Sequence, residues 1–235
     1  FRVCMEWYRR VAVVMDKKDV IRKISALLAR GDEERNDNEH EREIALRHAQ
    51  KLMDEYNISQ LEANVAMVHG ERGRTGVLTG RHVWKRQIYN TLSGLYGVTV
   101  YHNQDYCYLI GGEVNREILL SMGQYVSASI EREARKNPGK GRKWHNSFKK
   151  GSVLGIMKNV QAILEERKSN EQTVSSGKDL IVFNDKEMQL NDDYILNVLD
   201  IRLAHRNSNF RASSRDGLES GRRFGSSVSL NDQIG

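Results

Sequence analysis

Apolar residues recur with a helical period in several stretches of this chain, and β-rich runs replace that period near the middle. Val20, Ile24, Leu27 and Leu28 fall at helical spacing, and Gly31 follows as a stop that accepts a left-handed cap. After the polar connection Asp32 to Asn38, Ala45, Ala49, Leu52, Met53 and Tyr56 mark one face of a second helix. So short a loop predicts antiparallel neighbours, each burying its stripe on the other. Asn57 ends the second helix, and Ser59 with Glu62 forms a capping box for a short third one. Ile88, Leu92 and Leu95 predict a helix over 83–96 that stops at Gly97. Val98 to His102 and Tyr106 to Ile110 are β-rich runs separated by Asn103, Gln104 and Asp105, which predicts a hairpin with a three-residue loop. Ile118, Met122, Val126 and Ile130 face one side of a helix over 113–136, closed by Asn137, Pro138 and Gly139. Val153, Ile156, Met157, Val160 and Leu164 place another helix over 145–168. Leu180 to Phe183 reads as a third strand, and Tyr194 to Leu199 as a short helix.

The expected fold is therefore α+β and mainly α-helical. An N-terminal antiparallel helical hairpin (15–68) precedes an α+β domain (82–206), in which helices pack on a small antiparallel β-sheet. Gly70, Gly73, Gly76 and Gly80 make 69–81 read as the linker between them. Residues 207–235, rich in Gly, Ser and Arg, read as a loosely ordered tail apart from the neighbourhood of Gly221 and Gly225. Residues 1–14 show no clean period and precede Met15, so they read as a non-native or disordered leader. The alternative is a packed segment around Trp7 and the run Val11 to Val14.

Composition narrows the chemistry. No stretch of the 235 residues approaches the ~20 consecutive apolar residues of a membrane-spanning helix. With only Cys4 and Cys107, neither a disulfide framework nor a four-cysteine zinc site is available, and a reducing cytoplasm fits. The net charge of +6 is unevenly spread. The N-terminal hairpin region is acidic. Residues 132–150 carry Arg132, Arg135, Lys136, Lys140, Arg142, Lys143, Lys149 and Lys150 against Glu133 alone. Such focusing says more about partners than the total does.

Three segments carry a family resemblance. The first is Val20-Ile21-Arg22-Lys23-Ile24 through Leu28, with Ala45, Ala49-Gln50-Lys51-Leu52-Met53 and Tyr56-Asn57-Ile58. The second is Trp144-His145-Asn146-Ser147-Phe148-Lys149-Lys150-Gly151, and the third is Gly221-Arg222-Arg223-Phe224-Gly225 followed by Val228 and Leu230. Together they resemble a bacterial and phage family known as a domain of unknown function, over about Lys18 to Leu230. The resemblance implies an N-terminal helical hairpin joined to an α+β C-terminal region. It carries over no catalytic residue. Its phage-encoded members point to DNA transactions by association.

Several constellations invite chemistry and are better read otherwise. His40, Glu41 and His48 lack the one-turn spacing of a His-Glu-x-x-His metal helix, and the acids around them suit a helix start. The glycines of 69–81 lack the Lys-Ser/Thr ending of a phosphate loop. Cys107 lies between Tyr106 and Tyr108 with no base beside it in sequence, which reads as a packed thiol. No cofactor and no metal are expected.

The basic segment is the candidate site. Arg135, Lys136, Lys140, Arg142, Lys143, Lys149 and Lys150 are placed to neutralise phosphates. Trp144 among them is placed either to stack on a base or, with Phe148, to anchor the loop to the core. Tyr106 and Tyr108 share one face of their strand, as stacking residues do on sheet-based single-strand binders. The expectation is a nucleic-acid-binding accessory protein that contacts single-stranded DNA or RNA with weak sequence preference. One alternative is a protein-interaction module acting on a host or phage assembly through the acidic hairpin 33–55. A weaker one is a hydrolase assembled from His82, His102, His145 and Asp105. Oligomeric state leaves no mark in the sequence.

Overall fold

The computed structural model describes residues 17–30, then Glu41, Ile44, Ala45, His48, Ala49, Lys51, Leu52 and Glu55, then 72–169, 176–203, 212–228 and 230. The expectations for residues 1–14, for the stop at Gly31 and for the capping box at Ser59 and Glu62 lie outside these. In chain order the elements are α1 (Lys17–Arg30), β1 (Gly73–Leu78), α2 (Val83–Tyr96), β2 (Thr99–Asn103), β3 (Tyr106–Gly111), α3 (Glu113–Arg135), α4 (Arg142–Ser169), α5 (Ser176–Asn197) and α6 (Arg215–Ser227). The eight described positions from Glu41 to Glu55 are also helical. The fold is mainly helical α+β with a three-stranded antiparallel sheet, as the apolar periods predict.

The sheet order is β1-β3-β2, so the second strand of the hairpin is central. Leu109 and Cys107 of β3 are fully buried on the inner face, where Val77 of β1 and Val100 of β2 pack beside the same core. α2 lies below them and buries Trp84, Ile88, Tyr89, Leu92, Leu95 and Tyr96. It ends at Gly97, whose φ of 59° is the left-handed region that costs glycine least. α3 returns from the end of β3 and buries Ile118, Met122, Val126 and Ile130, the expected stripe. Val20 and Ile24 of α1, together with Ala49, join this one core, and Leu27 and Leu52 pack against it.

Four expectations are corrected. The glycine-rich stretch 69–81 is not simply a linker, because Gly73–Leu78 is β1, paired along its length with β3. Glycine is a poor strand former, and here distant side chains supply what it lacks. The Arg116 guanidinium occupies the space beside Gly73, and the Tyr108 ring covers Gly76. The hairpin loop has two residues, not three, since Asn103 pairs with Tyr106 and leaves only Gln104 and Asp105 in the turn. Leu180 to Phe183 is helical, within α5. From residue 184 on, that helix buries Asn184, Glu187, Asn191 and Ile195, a mostly polar stripe that an apolar period does not register. Residues 215–227 of the expected tail form α6.

That polar stripe has a specific target. The Asn184 amide donates to the carbonyls of Gly94 (3.3 Å) and Leu95 (3.0 Å), and the Asn191 amide donates to Gly97 O at 2.9 Å. The last carbonyls of α2 have no partner within their own helix. α5 therefore supplies the missing donors from its side chains. Glu187 meanwhile takes Arg72 in a buried ion pair at 2.8 Å, with side chains 8% and 4% exposed.

α6 packs against α4 through backbone. Gly217, Gly221 and Gly225 meet the carbonyl oxygens of Trp144, Phe148 and Ser152, while Gly151 and Gly155 of α4 meet the backbone of Leu218 and Arg222. The paired numbers rise together, so the two helices run parallel and start side by side. At each contact a Cβ would overlap main-chain atoms that cannot step aside.

Candidate nucleic-acid interface

Parallel packing brings the starts of α4 and α6 to one edge of the molecule. Arg142 and Lys143 occupy the first turn of α4, are exposed, and have no acidic residue in that turn. Arg215 opens α6 beside them and is also exposed. Ser214 caps α6, its hydroxyl accepting from the backbone N–H of Gly217 at 3.2 Å. Cations at a helix start oppose the macrodipole, and two starts abreast compound the positive potential. One carboxylate answers it. Asp216 Oδ2 accepts from Lys140 Nζ at 3.2 Å and from the Trp144 indole N–H at 2.8 Å. Those two donors hold the Asp216 carboxyl below its usual range, with the Lys140 hydrogen bond the largest cause.

The remaining residues of the basic segment divide by surroundings. Arg135 reaches Glu131 at 3.8 Å, and Lys136 reaches Glu133 at 2.9 Å. Lys149 lies 5.4 Å over the Trp84 ring, as Lys85 does. Glu131 collects several of these cations. Burial pushes its carboxyl up, but the Lys85 hydrogen bond and the charges of Lys85, Lys149 and Arg135 together hold it below the ordinary range. Lys150 is half-buried on α4. Trp144 is 7% exposed and stacks on Phe148 at 5.1 Å, which in turn meets Phe224 of α6. Trp144 and Phe148 thus occupy the anchor positions. The Trp144 ring is part of the core and is not placed to stack on a base.

The outer face of the sheet carries a second group of aromatic rings. Tyr101 and Tyr108, directly opposite on β2 and β3, stack at 5.0 Å with a 23° interplanar angle. Tyr106 continues the ladder at 6.0 Å and 26°. Arg74 of β1 sits 5.1 Å over the Tyr108 ring and its Nη1 reaches the Tyr101 hydroxyl at 3.5 Å. The hairpin tip is tied to the start of α2. The Arg86 guanidinium donates to the carbonyls of Gly80 and Gln104, and Thr79 N–H donates to Asp105 O at 2.9 Å. Trp84 in the same turn of α2 carries Lys149, so the hairpin tip and this one residue of the basic segment both adjoin the start of α2.

Arg215 and Arg74, which no apolar period or charge run singles out, stand beside the expected residues: Arg215 by the start of α4 and Arg74 over Tyr108. A Ser at 214 before a helical stretch is the signal that could have found Arg215, and the alternation Arg74-x-Gly76-x-Leu78 the one that could have found Arg74. Three residues of the hydrolase alternative have neighbours outside that set. Asp105 faces Arg81 at 3.9 Å, His102 contacts the Asn90 amide, and His145 meets Trp144 edge-on. Burial pushes the Cys107 thiol up to about 12, well out of nucleophile range.

Residues 19–60 match the model of a family described as a protein of unknown function (DUF2786). This is the segment on which the resemblance of the hairpin to such a family rests. No curated protein and no solved structure matches the chain. Among the described residues no helix is long and apolar enough to cross a membrane.

Proposed function

We propose that this chain is a nucleic-acid-binding accessory protein that contacts single-stranded DNA or RNA with weak sequence preference. A phage-encoded protein working in the host cytoplasm fits this reading. The origin rests on the family resemblance, and the compartment on the use of only two cysteines. The observation that carries the function is the group of exposed cations Arg142, Lys143 and Arg215 at the paired starts of α4 and α6. No acid in the first turn of α4 offsets them. A phosphate backbone supplies the missing counter-charge and releases condensed counterions as it binds. Lys140 stands beside this group, with its partner Asp216 also exposed. Among the described residues no element presents itself as a major-groove reader, so the contact is expected to be indifferent to sequence.

The test is fluorescence anisotropy with a labelled oligonucleotide at two or more salt concentrations. Changing Arg142, Lys143 and Arg215 together to Ser is expected to weaken binding. It should also flatten the salt slope by about 0.7 for each phosphate of a single strand that is no longer neutralised. The melting temperature should barely move, because all three side chains are exposed. Failure of the unchanged protein to bind any oligonucleotide at low salt would overturn the proposal.

A further inference from the structure

The outer face of the sheet is organised in rows across its three strands. Leu78, Tyr106 and Asn103 are register partners and form the row nearest the hairpin tip. Gly76, Tyr108 and Tyr101 form the next. Arg74, Ile110 and Thr99 form the third, where Ile110 is fully buried and Thr99 meets Asp192 of α5. Cover by α5 therefore stops short of the tip. In the outermost row Leu78 is 69% and Tyr106 44% exposed, and Asn103 is exposed beside them.

The three tyrosines are not equivalent. Tyr108 has Tyr101 and Tyr106 as ring neighbours and the backbone of Gly76 beneath its edge, 3.3 Å from where a Cβ would stand. It is a structural ring that covers a glycine in an edge strand. Among the described residues Tyr106 has a ring neighbour on the Tyr108 side only, and its own row is the one nearest the tip. Leu78 and Asn103 flank it across the strands. A planar, apolar-faced group with polar edges suits that position: the ring for its face, Leu78 for its side, the Asn103 amide for its edge. Arg81 lies just past the tip, its side chain 95% exposed and held only at 3.9 Å by Asp105. A cation there complements a phosphate linked to such a group.

We infer that the Leu78–Tyr106–Asn103 row is a subsite for one unpaired nucleobase, with Arg81 toward the adjoining phosphate and the Tyr101–Tyr108 pair as its rigid support. The inference rests on the proposed phosphate contact and deepens it. A base inside a duplex has no free face to give, so this subsite selects single strands.

The experiment compares a dT oligonucleotide with one of equal length carrying abasic positions, and with the same dT strand in a duplex, all at low salt. The unchanged protein is expected to prefer dT over the abasic strand about ten-fold, the scale of one stacking contact, and to prefer it over the duplex. Tyr106→Ala should bind dT no better than the abasic strand, and Tyr106→Phe should keep the preference. Urea unfolding of both variants confirms that the exposed ring was not holding the sheet. If the unchanged protein binds dT and abasic strands equally, or Tyr106→Ala still discriminates, the subsite is overturned and the phosphate contact stands. If the protein binds no strand at all, both fall together.

Discussion

One oxygen of Asp216 serves both Lys140 and the indole of Trp144. Its carboxyl is depressed below the ordinary 3.8 by those donors, so the charged form is favoured in the folded chain. A depressed carboxyl adds stability above its ordinary value, and that contribution is lost as pH falls through the folded value. Asp216→Asn keeps an acceptor for the indole and removes the charge. The variant is expected to melt slightly below the unchanged protein at neutral pH, with the gap closing as pH drops below 3.8. A gap that persists unchanged in acid would mean the charge was idle. The same residue explains why the role of Trp144 was only half legible. Sequence puts Trp144 among cations, which suits stacking, and four residues from Phe148, which suits packing. The deciding acceptor lies 72 residues away.

At the scale of elements, legibility followed the kind of atom being buried. α2 was read from Ile88, Leu92 and Leu95 with the bounds it has, because its buried face is made of large side chains. α6 and β1 were not, because what they bury is main chain. A glycine contributes nothing to an apolar period, however tightly its Cα is packed. α5 escaped for a related reason, since Asn184, Glu187 and Asn191 bury hydrogen-bonding groups. The glycine contact has a measurable consequence. A methyl at Gly221 would stand in the carbonyl of Phe148, and only separation of α4 from α6 relieves it. Overpacking of this kind costs about 3 kcal/mol, against about 1 kcal/mol gained from the better helix propensity of alanine. Gly221→Ala is therefore expected to lower stability by about 2 kcal/mol in urea unfolding. Gly139→Ala, where a Cβ meets nothing within 4 Å, serves as the control. An unmoved midpoint for Gly221→Ala would show that the helices are less closely engaged.

Across the whole molecule, Arg72 and Glu187 join the entrance of the sheet to a helix 115 residues further on. Asn191 completes the set, its carbonyl oxygen accepting from Arg72 at 2.6 Å. A buried pair gains little over well-packed apolar residues, yet losing one partner strands the other charge without water. Glu187→Leu should cost about 3–5 kcal/mol, and its combination with Arg72→Met distinctly less than the sum of the two single changes. Thermal unfolding of the two single variants and the double reads this directly. Additive losses would mean that the two residues act separately. No local pattern advertises such a closure, since both residues look like ordinary surface charges in their own segments.

The α4–α6 contact also has the property of a rack with evenly cut teeth. Gly217, Gly221 and Gly225 are spaced by four, and so are Trp144, Phe148 and Ser152, which they meet. Such a pattern fits itself again after a slide of one tooth, about 6 Å along the axis. Evenly cut teeth cannot state their own phase. Two pins at the ends do. The Ser147 hydroxyl accepts from the backbone N–H groups of Ser213 and Ser214, and the Asn159 amide donates to the carbonyls of Gly225, Ser226 and Val228. Neither pin repeats along the rack, so each has one seat. Arg215 rides on the sliding part and Arg142 on the fixed part. Whether the two cations lie side by side is thus decided by a serine and an asparagine of α4, neither of which carries a charge.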